Sequence, residues 1–479
     1  MSAGFRRAKI VSTVGPATWD PGVFREMVHA GIDAVRINFS HSSHEQATRI
    51  IELTREAVEA TGRPIATIGD LSGPKIRVGD LEAPLMLEPD VAYCFIPEGD
   101  APPAPFDPDR VIPTSYPTLA DDVEPGNRIL LDDGRFEFLV SDVSARSVIA
   151  TTQNTGELLR HKGINLPGIR VGAPSLTEKD LEDIAFAHRQ HLDYLALSFV
   201  RTAGDVRAAR QAMDKSALLI AKIEKSQALE ALPDILAESD GVMVARGDLG
   251  VELPYEEVPM IQKRTIRLAQ ERARPVITAT QMLESMIHHS RPTRAEVSDV
   301  ANALLDGTDA VMLSAETATG DYPVESVATM DRIIRRIEHE RLGRFGCAGT
   351  TPTGESDVQH TTSGAVAAAS MQAVERLNSP FLVTFTRSGF TARIVSAQRP
   401  SVPILALSYS WRTFTQMALV WGVQPVLFEG DVNYRSMLAR AREAALEFGL
   451  GEPGQRFVVT AGVPFHVPGT TNMMRIEEL

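Results

Sequence analysis

The sequence predicts an α/β protein: a (β/α)8 barrel of the TIM type with a small β lid domain inserted after strand three, then a C-terminal open-sheet α/β domain. Three observations carry that prediction. Eight short apolar runs alternate with amphipathic segments. A Pro-rich stretch breaks the alternation after the third run. A second alternating pattern begins after a polar linker at 346–359.

The runs are AKIVSTV (8–14), AVRINFS (34–40), PIATIGDL (64–71), DYLALSFV (193–200), ALLIAKIE (217–224), GVMVARG (241–247), PVITAT (275–280) and AVMLSAE (310–316). Each is strand length, and most centre on Ile or Val, which suits strands buried on both faces. Segments between them, such as HEQATRIIELTREAVEA, carry apolar residues at helical spacing. Asp20-Pro21, Thr177 with Asp180 three residues on, and Pro292-Thr293 mark helix starts. Eight strand–helix units count out a closed barrel, where six would favour an open doubly wound sheet. The insertion contains EGDAPPAPFDPDRVIP and a hairpin signal, NRILLDDGRFEFLV, with Asp133-Gly134 at its turn. In the last part FLVTFT, VPILALS, VQPVLF, RFVVTAG and MMRIEEL read as five strands. The expected domains are therefore 1–79 with 164–345, 80–163, and 346–479.

Of 479 residues, 43% are hydrophobic and 23% charged, an ordinary globular balance. Lys and Arg number 48 against 62 Asp and Glu, a net charge of −14 that argues against non-specific binding to nucleic acid or acidic membranes. An anionic substrate would need a local cluster of cations. The two cysteines, Cys94 and Cys347, have no metal-ligand spacing and read as reduced thiols. The opening MSAGFRRAKIVSTVG has no apolar run long enough for a signal peptide, and no window approaches the ~20 apolar residues of a membrane span. The expected compartment is the cytoplasm.

In such a barrel the active site gathers at the C-terminal ends of the strands. Those ends carry Arg36, Asn38 and Ser40; Asp70; Lys222 and Glu224; Arg246, Gly247 and Asp248; Thr280-Gln281; and Ser314 with Glu316. Buried strands rarely hold such charges unless these are paired or functional, and convergence on one rim favours function. Spacing of two puts Arg36, Asn38 and Ser40 on one face, and Lys222 with Glu224 on another. Glu224 and Asp248 are hard oxygen ligands suited to Mg²⁺ shared with a phosphate. Arg36, Arg77, Lys222 and Arg246 are cations of the kind that stabilise a transferring phosphoryl group. No Ser or Cys stands beside a His base, His41 and His44 lack further zinc ligands, and neither a Walker A loop nor a protein-kinase signature is present. Metal-assisted phosphoryl transfer or enolate chemistry on a small anion remains.

AKIVSTVGPAT, AVRINFSH, GDLSGPKIRVG, HKGINLPG, AKIEKSQAL, GVMVARGDLGVELP, ITATQMLESMI and PTRAEVSDVANALLDGTDAVMLSAETATGDYP resemble the pyruvate kinase family, in order along the barrel. The resemblance implies transfer of phosphate from phosphoenolpyruvate to ADP, giving pyruvate and ATP, with Mg²⁺ or Mn²⁺ as cofactor. It also implies a mobile lid, a C-terminal domain binding a phosphorylated allosteric effector, and a homotetramer. By the same resemblance Arg36 contacts the phosphate of phosphoenolpyruvate, Arg77 the nucleotide phosphates, and Glu224 and Asp248 the divalent metal. Lys222 stabilises the transferring phosphoryl group and the enolate. Gly247 and Asp248 offer backbone amides to the substrate carboxylate, and Thr280 lies on the side from which the enolate is protonated. Asn38, His41 and Lys162 match nucleotide contacts. Asn38, Ser40, Asp70 and the Leu71 carbonyl match a monovalent-cation site.

Some positions depart from the family pattern. Ala315 stands in place of Gly, and the lid around 80–130 matches poorly. In FTRSGFTARIVSAQRP, Thr386, Ser388, Gly389 and Thr391 match an effector phosphate loop, while Phe390 replaces a basic residue. That turn also reads as a plain helix N-cap. Lys75 stands where members requiring K⁺ have Glu, as in members that work without it. Two rival readings are a metal-dependent pyruvate-enolate aldolase or lyase, and a catalytically silent binding protein. Lys162 and Arg77 speak against the first, and Lys222, Glu224, Asp248 and Thr280 against the second.

Overall fold

All eight apolar runs form parallel strands in the computed structural model, which describes residues 5–103, 106–344, 360–465 and 469–479. The side chains of 341–344 are not described, and the linker at 346–359 with Cys347 lies outside the described residues. The first three strands are β1 (Lys9–Thr13), β2 (Ala34–Asn38) and β3 (Ala66–Asp70). The inserted region follows, with β4 (Leu85–Leu87), β5 (Val91–Pro97), β6 (Val111–Thr114), β7 (Arg128–Leu131), β8 (Phe136–Ser144), β9 (Ser147–Thr152), β10 (Gly156–Leu158) and β11 (Ile164–Asn165). The barrel resumes with β12 (Tyr194–Leu197), β13 (Leu218–Ile223), β14 (Gly241–Ala245), β15 (Val276–Ala279) and β16 (Ala310–Leu313). It closes in the order β1-β16-β15-β14-β13-β12-β3-β2, with β2 paired back onto β1.

The barrel interior explains where the chemistry sits. Strand side chains alternate between lumen and helices. Val11, Ala34, Ala66, Ile68, Tyr194 and Ala196 form part of the inner core, together with Ile220, Met243, Ile277 and Met312. Continuing the same parity toward the C-terminal ends reaches Thr13, Arg36, Asp70, Ser198 and Lys222. The lumen thus turns from apolar to polar within one layer. Helices pack outside and start where their caps dictate: Asp20 accepts from Gly22 and Val23, while Thr177 and Thr293 form capping boxes with Asp180 and Glu296.

The lid is a six-stranded sheet in the order β11-β7-β8-β9-β5-β6, with β4 and β10 paired beside it. Its hairpin turns as expected between Leu131 and Phe136, with Asp132, Asp133 and Gly134 all at positive φ. Phe138 packs edge-on against Tyr93 and Phe95 in its core, and Cys94 is a buried free thiol.

The C-terminal sheet runs β19 (Val423–Leu427), β18 (Ile404–Ser408), β17 (Leu382–Phe385), β20 (Arg456–Ala461) and β21 (Met473–Glu478), with only β21 antiparallel. This domain closes the N-terminal end of the barrel. Ala418 and Leu419 join the inner core, and the buried Tyr194 hydroxyl donates to the Gln416 carbonyl at 2.7 Å. Among the described residues no helix is long and apolar enough to cross a membrane.

Candidate active site

Asp70 organises the rim. Its carboxylate is buried, accepting from Arg36 Nε at 2.6 Å and facing Lys222 Nζ at 3.2 Å. Burial alone would raise its pKa, but the charges of Lys222 and Arg36 outweigh that and hold it below the usual range. Arg36 also donates to Thr13 Oγ1 at 3.1 Å, so two strands aim one guanidinium.

Lys222 has three partners: Asp70, Glu224 Oε1 at 2.9 Å and Ser198 Oγ at 2.7 Å. Burial would strip its proton, yet Asp70 and Glu224 more than compensate and raise its pKa, so it stays an ammonium. Ser198 in turn donates its hydroxyl to the Leu71 carbonyl at 2.7 Å. Sequence reading missed Ser198 and Thr13, although each continues the inward parity of its run. Glu224 is buried, and its second oxygen accepts from the Phe199 amide at 2.6 Å, where Phe199 is held at φ 55°.

Asp248 lies in the first turn of the helix Arg246–Glu252 and is half-buried. Burial and the neighbouring Glu224 charge push its pKa up to about 6, against the pull of Lys222, Lys75 and Lys225. Two neighbouring carboxylates fit a divalent cation, whose charge would offset their repulsion. Among the described residues no third His, Cys, Asp or Glu joins them, so an ion there keeps positions open for substrate oxygens.

Thr280 is β-branched yet sits at φ 67°, followed by Gln281 at φ 55°. Such backbone costs roughly 1–3 kcal/mol and persists only where its surroundings enforce it. Arg246 does the enforcing, donating to the Thr280 carbonyl at 2.8 Å and pairing with Asp299 at 2.7 Å. Arg246 was expected among the phosphoryl-stabilising cations. It is instead turned to Asp299 and the backbone, because this pairing satisfies its charge behind the rim. Thr280 Oγ1 accepts from the Gly247 amide at 2.8 Å. Glu316 is also structural: buried, it accepts from the amides of Leu283 and Ser314.

The mouth facing the lid is cationic. Gly73 at φ 65° turns the chain before Pro74 and exposes Lys75, which lines a cleft with Asp133, Gly163, Phe199, Lys225 and Asp248. Burial and the charges of Lys75, Arg77 and Arg36 hold the His41 pKa below its ordinary value. Arg77 donates to the His161 carbonyl at 2.9 Å, tying the barrel to the lid, and Lys162 pairs with Asp132 at 2.7 Å. Asn38 Oδ1 accepts from the Ser40 amide and Ser40 donates to Ser72 Oγ, both at 3.1 Å. In the C-terminal domain Thr386, Ser388 and Thr391 line a hollow, with Gly389 at φ 74°. Among the described residues no side chain caps the helix Phe390–Ala397 that starts there.

Known proteins share this fold. The family model "Pyruvate kinase, barrel domain" matches residues 5–327, and "Pyruvate kinase, alpha/beta domain" matches 364–477. A pyruvate kinase of Agrobacterium vitis is 43% identical, covering 99% of this chain and 98% of its own. One from Mycobacterium tuberculosis is 41% identical, with 99% and 98% covered. A crystal structure of a Cryptosporidium parvum pyruvate kinase superposes with TM-score 0.91 at 31% identity, covering 99% of this chain and 96% of that one. Fold and full-length similarity agree, and the chain belongs to the pyruvate kinase family, whose members are phosphotransferases.

Proposed function

We propose that this enzyme moves the phosphoryl group of phosphoenolpyruvate to ADP by electrostatic stabilisation at the rim. The observation that carries the reading is the triple engagement of Lys222 by Asp70, Glu224 and Ser198. A lysine so fixed is a permanent, preorganised cation, which is what a transferring phosphoryl group and a developing enolate require. Arg36, braced by Asp70 and Thr13, holds the substrate phosphate. Glu224 and Asp248 would hold Mg²⁺ or Mn²⁺, which supplies Lewis-acid charge to the phosphoryl oxygens and the enolate. Thr280 faces the enolate for its protonation. His41, Asn38, Arg77 and Lys162 receive the nucleotide, and the amides of Gly247 and Asp248 the substrate carboxylate.

Two further proposals concern ions and regulation. The monovalent-cation positions Asn38, Ser40, Asp70 and Leu71 are already satisfied internally: Asp70 by two cations, Leu71 by Ser198. Together with Lys75 this supports turnover independent of K⁺. The turn Thr386–Thr391 receives a phosphorylated effector. A helix start without a side-chain cap among the described residues, and the half-buried Ser388 hydroxyl, support that over the plain N-cap. The expected lid boundary at 163/164 falls too early, because Ile164–Asn165 pairs with β7 in the lid sheet; divisions at 79/80 and 345/346, a homotetramer and a cytoplasmic setting complete the proposal.

Mixing the protein with phosphoenolpyruvate and Mg²⁺, with and without ADP, tests the central reading. Pyruvate should appear only with ADP, in step with ATP. Pyruvate formation without nucleotide would favour the lyase reading, and none at all the silent binding protein.

A further inference from the structure

At the end of the barrel opposite the catalytic rim lies a cavity of about 430 Å³, within the ~300–1,000 Å³ range of small-molecule sites. One wall is the helix His44–Thr61, which turns Ile51, Thr54, Arg55 and Val58 toward it at helical spacing. The facing wall is the C-terminal domain's short helix Trp411–Gln416, with Trp411, Arg412 and Thr415. The floor is the start of two barrel strands, with Thr67 from β3 and Asp193 just before β12. It is a chamber between two domains.

Its chemistry is specific. Trp411 is 47% exposed, an unusual state for an indole beside an aliphatic wall, and it offers a stacking face. At the mouth, Arg55 donates to the Gln190 carbonyl at 2.6 Å, and no carboxylate pairs with it among the described residues. His191 stands exposed beside it. Arg412 is committed elsewhere, to Asp214 at 3.0 Å and the Leu192 carbonyl at 2.6 Å. Asp193 is sealed into the floor, one oxygen accepting from Thr415 Oγ1 at 2.5 Å and the other from the Thr67 amide at 2.8 Å. An uncompensated guanidinium beside an open indole, on a chain of net charge −14, suits a flat anion.

We propose that this chamber binds a nucleoside monophosphate, with the base stacked on Trp411 against Ile51 and Val58 and the phosphate at Arg55 and His191. A lone ring with a carboxylate would leave much of the volume empty, whereas base, sugar and phosphate fill it. Occupancy reaches the active site through the floor. Thr67 stands three residues before Asp70 on β3, and Asp193 leads through β12 to Ser198, so both strands end in contacts of Lys222. This regulatory consequence rests on the proposed role of Lys222, but binding itself does not. The same short helix also reaches the effector turn, where Thr413 Oγ1 donates to the Arg387 carbonyl at 2.7 Å. The test must therefore keep the two sites apart.

Equilibrium dialysis of the full chain against labelled adenosine monophosphate, in a Ser388→Glu background, does so. The expected result is one saturable site per chain, half-filled below about 1 mM, separate from any binding at the rim's nucleotide pocket and identified by its loss in Arg55→Glu. Arg55→Glu and Trp411→Ala should each weaken it by about tenfold or more, and adenosine or orthophosphate alone should bind about tenfold less tightly. Absence of saturable binding in the Ser388→Glu background overturns the proposal. So does unchanged affinity in Arg55→Glu, or orthophosphate binding as tightly as the nucleotide. If Trp411→Ala lowers the melting temperature, Arg55→Glu decides alone, because its side chain is exposed.

Discussion

Lys222 donates to Ser198 Oγ at 2.7 Å, while that hydroxyl donates its own proton to the Leu71 carbonyl at 2.7 Å, which turns an oxygen lone pair toward the ammonium. The serine therefore fixes where the ammonium points. Lys222→Met should lower kcat by ~10²–10³ with a much smaller rise in KM, the loss expected for a donor acting on developing charge. Ser198→Ala should lower kcat by about tenfold with KM nearly unchanged. Steady-state kinetics against phosphoenolpyruvate check both, and a Lys222→Met enzyme within about threefold of wild type would remove it from the mechanism.

Glu224→Ala should abolish measurable turnover at ordinary Mg²⁺. Asp248 would remain as a single half-buried carboxylate, and one such ligand holds the ion poorly. High Mn²⁺ should restore part of the rate. A mutant with the wild-type Mg²⁺ titration curve would show that the ligands are misassigned.

Activity should be nearly independent of K⁺. Lys75 brings a tethered charge to the mouth, and Asp70 is already neutralised by Arg36 and Lys222. Assays in tetramethylammonium buffer free of K⁺, Na⁺ and NH₄⁺ check this. An increase of about tenfold on adding K⁺, worth ~1.4 kcal/mol of barrier, would contradict it. Lys75→Glu should lower the K⁺-free rate and create at least partial dependence.

A fixed negative charge in the turn at Thr386–Thr391 should exclude a phosphate by repulsion. In Ser388→Glu the ratio of sugar-phosphate-activated to basal rate should fall to one. An activation curve identical to wild type would return the turn to the role of helix start.

Asp193 couples stability to pH. Burial raises its pKa from 3.8 to about 6, while hydrogen bonds from Thr415 and Thr67 and the Arg412 charge pull the other way. Between these values the folded chain holds a proton that the unfolded chain has lost, so this group makes stability fall as pH rises. Two pKa units correspond to roughly 3 kcal/mol. On going from pH 7 to pH 5 the wild-type Tm should therefore rise relative to that of Asp193→Asn. Parallel Tm curves for the two proteins would exclude the effect.

Strand count and order were legible because parallel strands buried on both faces leave unbroken Ile- and Val-rich runs. The rim was legible as far as charge stands out against such runs, which is how Arg36, Asp70, Lys222 and Glu224 were found. Thr13 and Ser198 went unread because hydroxyl residues are common in strands, and only their parity with Val11 and Ala196 marks them. Arg246 was misread for the opposite reason. A charge at a strand end looks functional until its partner is known, and Asp299 lies 53 residues away. The interdomain chamber left no local trace, since Thr415 and Asp193 are 222 residues apart.

Ala418 and Leu419 stop the lower opening of the barrel from a different domain, so the catalytic unit does not own its complete interior. Cutting the chain after the barrel would expose lumen residues such as Tyr194 and Met243 to water, and would orphan the Tyr194 hydroxyl. Withdrawing one Leu-sized plug forfeits ~1.5–3 kcal/mol of burial before any loss of packing is added. The two domains are therefore obliged to melt together, and whatever tightens the distal one shores up the catalytic one from below.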